Sequence, residues 1–83
     1  MNTATKQLAM AIRHLYNTMS GLSKQTILNG HKVEVSTGRK MTEPILVMVE
    51  DNNGNHVWFK ASKRACAANS LYNISEKAAQ VIA

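Results

Sequence analysis

Acidic residues are scarce in this chain. Asp and Glu number five against ten Lys and Arg in 83 residues, so the formal charge is +5 at pH 7. Charged residues make up only 18% of the sequence, below the ~25% usual for soluble domains, so the basic balance comes from missing carboxylates rather than added cations. A positive excess points to nucleic acid or another anionic surface as partner. Cysteine occurs once, at Cys66, which excludes an internal disulfide. Packing alone must hold the fold, and a reducing, cytoplasmic setting is expected. No apolar run approaches the ~20 residues of a membrane span. The opening Met1-Asn2-Thr3-Ala4-Thr5-Lys6 has the form of neither a signal peptide nor an anchor, and no membrane partner is expected. Aromatics at 5% leave aliphatics, Ala and five Met to fill a core, and Met packing adapts readily to partners. The length predicts one small domain over residues 1–83 with a single core and no inter-domain cleft.

Residues 3–20 carry Leu8, Ile12, Leu15 and Met19 at helical spacing, with Ala4 and Ala11 beside them and Lys6, Arg13 and Asn17 on other faces. Thr3 or Thr5 is the expected cap, and Ser20-Gly21 the stop. Residues 22–30 have two readings: a short helix capped by Ser23, or a strand turning through Asn29-Gly30 into His31-Lys32-Val33. Asn-Gly between apolar runs favours the hairpin. Val33 and Val35 alternate with Lys32 and Glu34 as a half-buried strand, followed by a loop holding Arg39, Lys40 and the sole proline, Pro44.

The next hairpin has a register that can be tested by its faces. A three-residue loop, Asn52-Asn53-Gly54 with Gly54 left-handed, pairs Glu50 with His56, Val49 with Val57, Val47 with Phe59 and Ile45 with Ala61. The face carrying the last three of these pairs is wholly apolar. A two-residue loop would set Val47 against Lys60 and mix the faces, so the longer loop is predicted. The other face then holds Leu46 with Lys60, Met48 with Trp58, and Glu50 with His56. After Ala61 the period becomes helical, with Ser62 as cap and Ala67, Leu71, Ile74, Ala78, Val81 and Ile82 along one stripe, and with a break foreseen at Asn73 where Ser75-Glu76 can cap a second piece. The sum is an α+β fold: an N-terminal helix, a three- or four-stranded antiparallel sheet and a C-terminal helix in two layers.

Ser62-Lys63-Arg64 places two cations at a capped helix start, where unpaired backbone donors already favour an anion. Extending the hairpin register brings the Arg39-Lys40 loop to the same end, so Lys60, Lys63, Arg64, Arg39 and Lys40 are the candidate nucleic-acid-binding patch. The plainer reading is solvated charge at a sheet edge, partly neutralised by Glu43.

The order helix, strand, strand, strand, helix, with Val33-Glu34-Val35, a Gly-containing loop ending at Pro44, Ile45-Leu46-Val47-Met48-Val49, Val57-Trp58-Phe59 and Ser62-Lys63-Arg64-Ala65-Cys66-Ala67-Ala68, resembles the double-stranded RNA-binding domain family. In that family the basic start of the last helix grips phosphates across the major groove, while the first helix and the loop after the first strand touch minor grooves. The resemblance implies a duplex partner with Lys63 and Arg64 on its phosphates. Topologically it covers most of the chain; its motif is confined to Ser62, Lys63 and Arg64. The family's third helix lysine falls at Ala67, its loop histidine has no counterpart between Gly38 and Pro44, and residues 22–30 are extra.

A second candidate surface is the sheet face carrying Leu46, Met48 and Trp58, either an anchor for a protein partner or a face covered by the N-terminal helix in a three-layer domain. Catalysis has little support. His14, His31 and His56 are scattered without metal-ligand spacing, no paired carboxylates, phosphate loop or nucleophile motif is present, and no cofactor is implied. Cys66 is either a buried filler or a thiol made acidic by the neighbouring cations. The leading expectation is therefore a small non-enzymatic protein that contacts the backbone of an RNA or DNA duplex. The alternative is a protein-interaction module, an inhibitor or adaptor of the kind phages and other mobile elements encode, acting on a larger protein or nucleoprotein complex.

Overall fold

A computed structural model describes residues 2–67 and 73–83. Helix α1, Thr3–Thr18, begins at Asn2, whose side-chain oxygen accepts from the Thr5 amide at 2.8 Å. Asparagine is a stronger cap than threonine, and from one residue further out it displaces the expected Thr3 or Thr5. The helix ends two residues before the expected Ser20, because Met19 is extended. Lys24 reaches back to the Thr18 carbonyl and hydroxyl, setting a cation where the helix carries partial negative charge.

Strands β1 (Ser23–Leu28), β2 (His31–Ser36), β3 (Ile45–Glu50) and β4 (His56–Ala61) form an antiparallel meander in chain order. The first turn resolves the ambiguity of residues 22–30 in favour of the hairpin: Asn29 and Gly30 have φ of 52° and 84°, the pair of positive angles that a two-residue hairpin turn demands. The Asn29 amide also donates to Gln7 and to the Ile82 carbonyl, tying the turn to both ends of the chain. The β3–β4 pairing is the predicted one throughout, from Ile45 opposite Ala61 to Glu50 opposite His56. Gly54 has φ 79°. Asp51 closes the loop, its carboxylate accepting from the Asn53 and Asn55 amides.

After Ser62 the chain forms α2, Lys63–Ala67, and later α3, Glu76–Ile82, capped by Ser75 on the Ala78 amide. The foreseen restart at Ser75-Glu76 is thus present. Leu71, expected in the apolar stripe, lies outside the described residues. Ala67 was placed on that stripe but is exposed, and Cys66 takes the buried position instead.

The core follows from strand alternation. Val33, Val35, Ile45, Val47 and Val49 share one face of the sheet, and Leu8, Ile12 and Leu15 of α1 join Ala78, Ala79 and Ile82 of α3 in a single cluster upon it. Both long apolar stripes are satisfied there, with α1 over β1 and β2 and α3 over β3 and β4. The three-layer alternative, with α1 on the opposite face, is therefore replaced by two layers.

Candidate nucleic-acid interface

Strand register brings the basic segments together. The end of β2, the start of β3 and the end of β4 lie side by side, with Ser36, Leu46 and Lys60 in one row. From this end emerge both the loop of residues 37–44, with Arg39 and Lys40, and the start of α2, with Lys63 and Arg64. Thr37 pins the base of the loop: its amide donates to the Leu22 carbonyl at 3.0 Å and its hydroxyl to the Pro44 carbonyl at 2.9 Å. The Glu43 amide closes the far side on Lys40. The Glu43 carboxylate lies directly over Gly38, where a Cβ would collide with it.

Lys63 has a different place from the one its sequence suggests. It is 4% exposed, and its ammonium donates to the carbonyls of Gly38 and Lys40, both at 2.6 Å. Its ammonium faces the protein rather than the surface and latches the loop to the start of α2. The sequence signal was real, since a cation in a helix's first turn opposes the dipole and needs a reason; the reason is two backbone carbonyls. Arg39, Lys40, Lys60 and Arg64 remain exposed around this latch.

The charge segregates accordingly. Five cations, Arg39, Lys40, Lys60, Lys63 and Arg64, meet one carboxylate, Glu43, at this end, whereas the rest of the chain holds five cations and four acids. Nearly all the net charge is thus concentrated at one end of the sheet.

The other candidate surface lies on the opposite face of the sheet. Leu46, Met48 and Trp58 point away from the core face, and none of the described helices covers them. Trp58 is 54% exposed and Leu46 36%, but Met48 is only 4% exposed. Met48 sits on an inner strand between Glu34 and Trp58, and at so low an exposure it is a floor rather than an anchor. The His56 ring meets Trp58 edge-on, with centroids 6.2 Å apart, and lies 3.6 Å from the Glu50 carboxylate.

The remaining reactive groups are dispersed. His14 lies on α1, His31 at the start of β2 with Nδ1 on the Glu50 carbonyl, and His56 on β4. Among the described residues no three His, Cys, Asp or Glu side chains converge as metal ligands. Cys66 is fully buried; desolvation pushes its thiol pKa up against a lesser pull from Arg13, so the acidified thiol considered from sequence is replaced by a protonated core filler. No described helix is long and apolar enough to cross a membrane. No protein-family model, curated protein or solved structure matches the chain significantly.

Proposed function

We propose that this protein is a binding module that grips the sugar–phosphate backbone of nucleic acid at the loop end of its sheet. The observation that carries the reading is the segregation of charge, five cations with one carboxylate at one end and near neutrality elsewhere. Phosphate neutralisation needs exposed cations on a fixed frame. Arg39, Lys40, Lys60 and Arg64 supply the cations, and the Lys63 latch supplies the frame. The exposed Trp58 supports a second reading, in which the chain is an inhibitor or adaptor docking on a larger protein.

Titration with RNA and DNA at several salt concentrations tests the first reading. Affinity should fall linearly on a log–log plot, with a slope of about −0.9 per phosphate contact on B-DNA and about −0.7 on single strands. Replacing Arg39, Lys40, Lys60 or Arg64 by alanine should each remove about one contact from that slope. Absence of binding at low salt refutes the reading.

A further inference from the structure

We infer that the nucleic acid bound at the basic end is single-stranded, with a base stacked on Trp58 and the backbone running past Lys60 onto the Arg39-Lys40 loop. The inference rests on the proposed backbone grip and names the form of nucleic acid it takes. Trp58 and Lys60 are two residues apart on β4, so both project from the open face, about 7 Å apart along the strand. Leu46 lies opposite Lys60 and borders an open hollow of about 530 Å³ that reaches Leu22, Ser36, Glu43 and Pro44, at the root of the cationic loop. An aromatic platform, a lysine and a basic loop thus lie in sequence across one corner of the sheet.

The indole decides between duplex and single strand. A duplex keeps its base faces stacked inside and offers its outside chiefly as phosphates and groove edges, so an aromatic side chain reaches a base face there only by unstacking a step, at a cost of about a few kcal/mol. An unpaired strand offers π-faces that stack on aromatic side chains while its phosphates meet cations. Trp58 is prepared for this. Covered Met48 fills the position opposite, and the edge-on His56 ring borders it, so the indole stays exposed above a filled surface.

The acids define the path. Glu34 lies two strands from Trp58 in the same row, and Glu50 pairs with His56 in the row farther from the basic end. A polyanion is therefore directed along β4 toward the Arg39-Lys40 loop, past the hollow that Glu43 lines. The same layout disfavours a protein occupant. Of twelve outward strand positions only Ile27, Leu46, Met48 and Trp58 are apolar. Met48 is covered, and Ile27 lies three strands away on β1, so beyond Trp58 the exposed apolar surface is limited to Leu46 with Leu22 and Pro44 across the hollow, small for the apolar centre of a protein interface.

Trp58 is the only tryptophan, so its emission reports on this site alone. Oligo-dT and oligo-rU 12-mers, an abasic 12-mer of the same charge and a 12-base-pair duplex are titrated into the full chain at low salt. The single strands should quench Trp58 and bind more tightly than the abasic strand or the duplex. Trp58→Ala should weaken the single strands about 5- to 150-fold, the equivalent of ~1–3 kcal/mol of stacking per base, leave the abasic strand unchanged, and melt like the wild type. Trp58→Phe should restore most of the loss. If all four ligands bind alike with a normal salt slope and an unmoved Trp58, the backbone grip stands and the single-strand inference is overturned. If none binds, both fall. Self-association in sedimentation that Trp58→Ala abolishes, or a protein partner bound through Trp58 in the absence of nucleic acid, assigns the face elsewhere and overturns the inference.

Discussion

Replacing Lys63 by methionine separates a latch from a phosphate contact. The substitution keeps most of the aliphatic stem and removes the ammonium, so the change falls on the two bonds to the Gly38 and Lys40 carbonyls. A hydrogen bond to a charged group contributes about 1.5–3 kcal/mol net. The Lys40 segment is exposed and its carbonyl can recover water, whereas the Gly38 side is half-buried beneath the Glu43 carboxylate. Together these give a loss of about 2–4 kcal/mol, a large part of the ~5–10 kcal/mol available to a domain of this size. At ~4–8 °C per kcal/mol, the melting temperature should fall by about 10 °C or more. Circular dichroism measures the melt, and hydrogen exchange at the Glu43 amide, which closes the loop on Lys40, reads the local opening directly. Had Lys63 been a surface phosphate contact, Lys63→Met would leave the melt unchanged and lower only the salt slope of binding. A wild-type melting temperature with undiminished Glu43 protection therefore refutes the latch.

Two further substitutions probe the β3–β4 turn. Gly54 has φ 79°, so Gly54→Val should cost about 1–3 kcal/mol through strain or a register slip, with Asn53→Ala costing much less; equal melting of Gly54→Val and wild type in denaturant would contradict the three-residue loop. The Asp51 carboxylate accepts from the Asn53 and Asn55 amides, which hold its pKa below the ordinary value. Its folded pKa being the lower, its contribution to stability is present above the unfolded pKa and lost as pH falls through the folded one. Acid titration followed by circular dichroism should show a shallower loss for Asp51→Ala than for wild type, and identical profiles would contradict the assignment.

The parts of the fold readable from sequence are those where one face must be apolar. Alternation from Ile45 to Glu50 and from His56 to Ala61 admits one register that keeps Val47 against Phe59, and the sheet adopts it. Asn29-Gly30 was less decisive, because the same dipeptide that accepts two positive φ angles in a hairpin can also close a short helix begun at Ser23. What remained hidden depends on side chains meeting across long separations. Lys63 bonds carbonyls 25 and 23 residues away, and no local pattern distinguishes such a lysine from Arg64 beside it. Met48 alternates with its neighbours as an outward residue should, yet it is buried, outside the core cluster and on the opposite face of the sheet. Likewise, one sheet face sufficed for two helices because β1 widened it, and β1 has mostly exposed side chains and little apolar pattern of its own.

The concentration of charge at the loop end makes salt act with opposite sign on folding and on binding. Arg39, Lys40, Lys60 and Arg64 repel one another around the latched Lys63, with Glu43 the only nearby acid. The screening length falls from about 30 Å at 0.01 M salt to about 8 Å at 0.15 M, so added salt relieves this repulsion in the folded state, where the five groups are held together, more than in the unfolded chain. The free protein should therefore melt at a higher temperature as salt rises over that range, while its affinity for nucleic acid falls. Removing two of the exposed cations by Arg39→Ala with Lys40→Ala should raise the low-salt melting temperature and flatten its salt dependence, whereas Lys32→Ala with Lys77→Ala, taken from outside the cluster, should flatten it less. Lys32 and Lys77 match the pair in charge removed, so the comparison isolates where the charge sits. A melting temperature that falls with salt, or an equal response of the two double variants, would show that the loop end carries no special repulsion and would remove the electrostatic ground for placing a polyanion there.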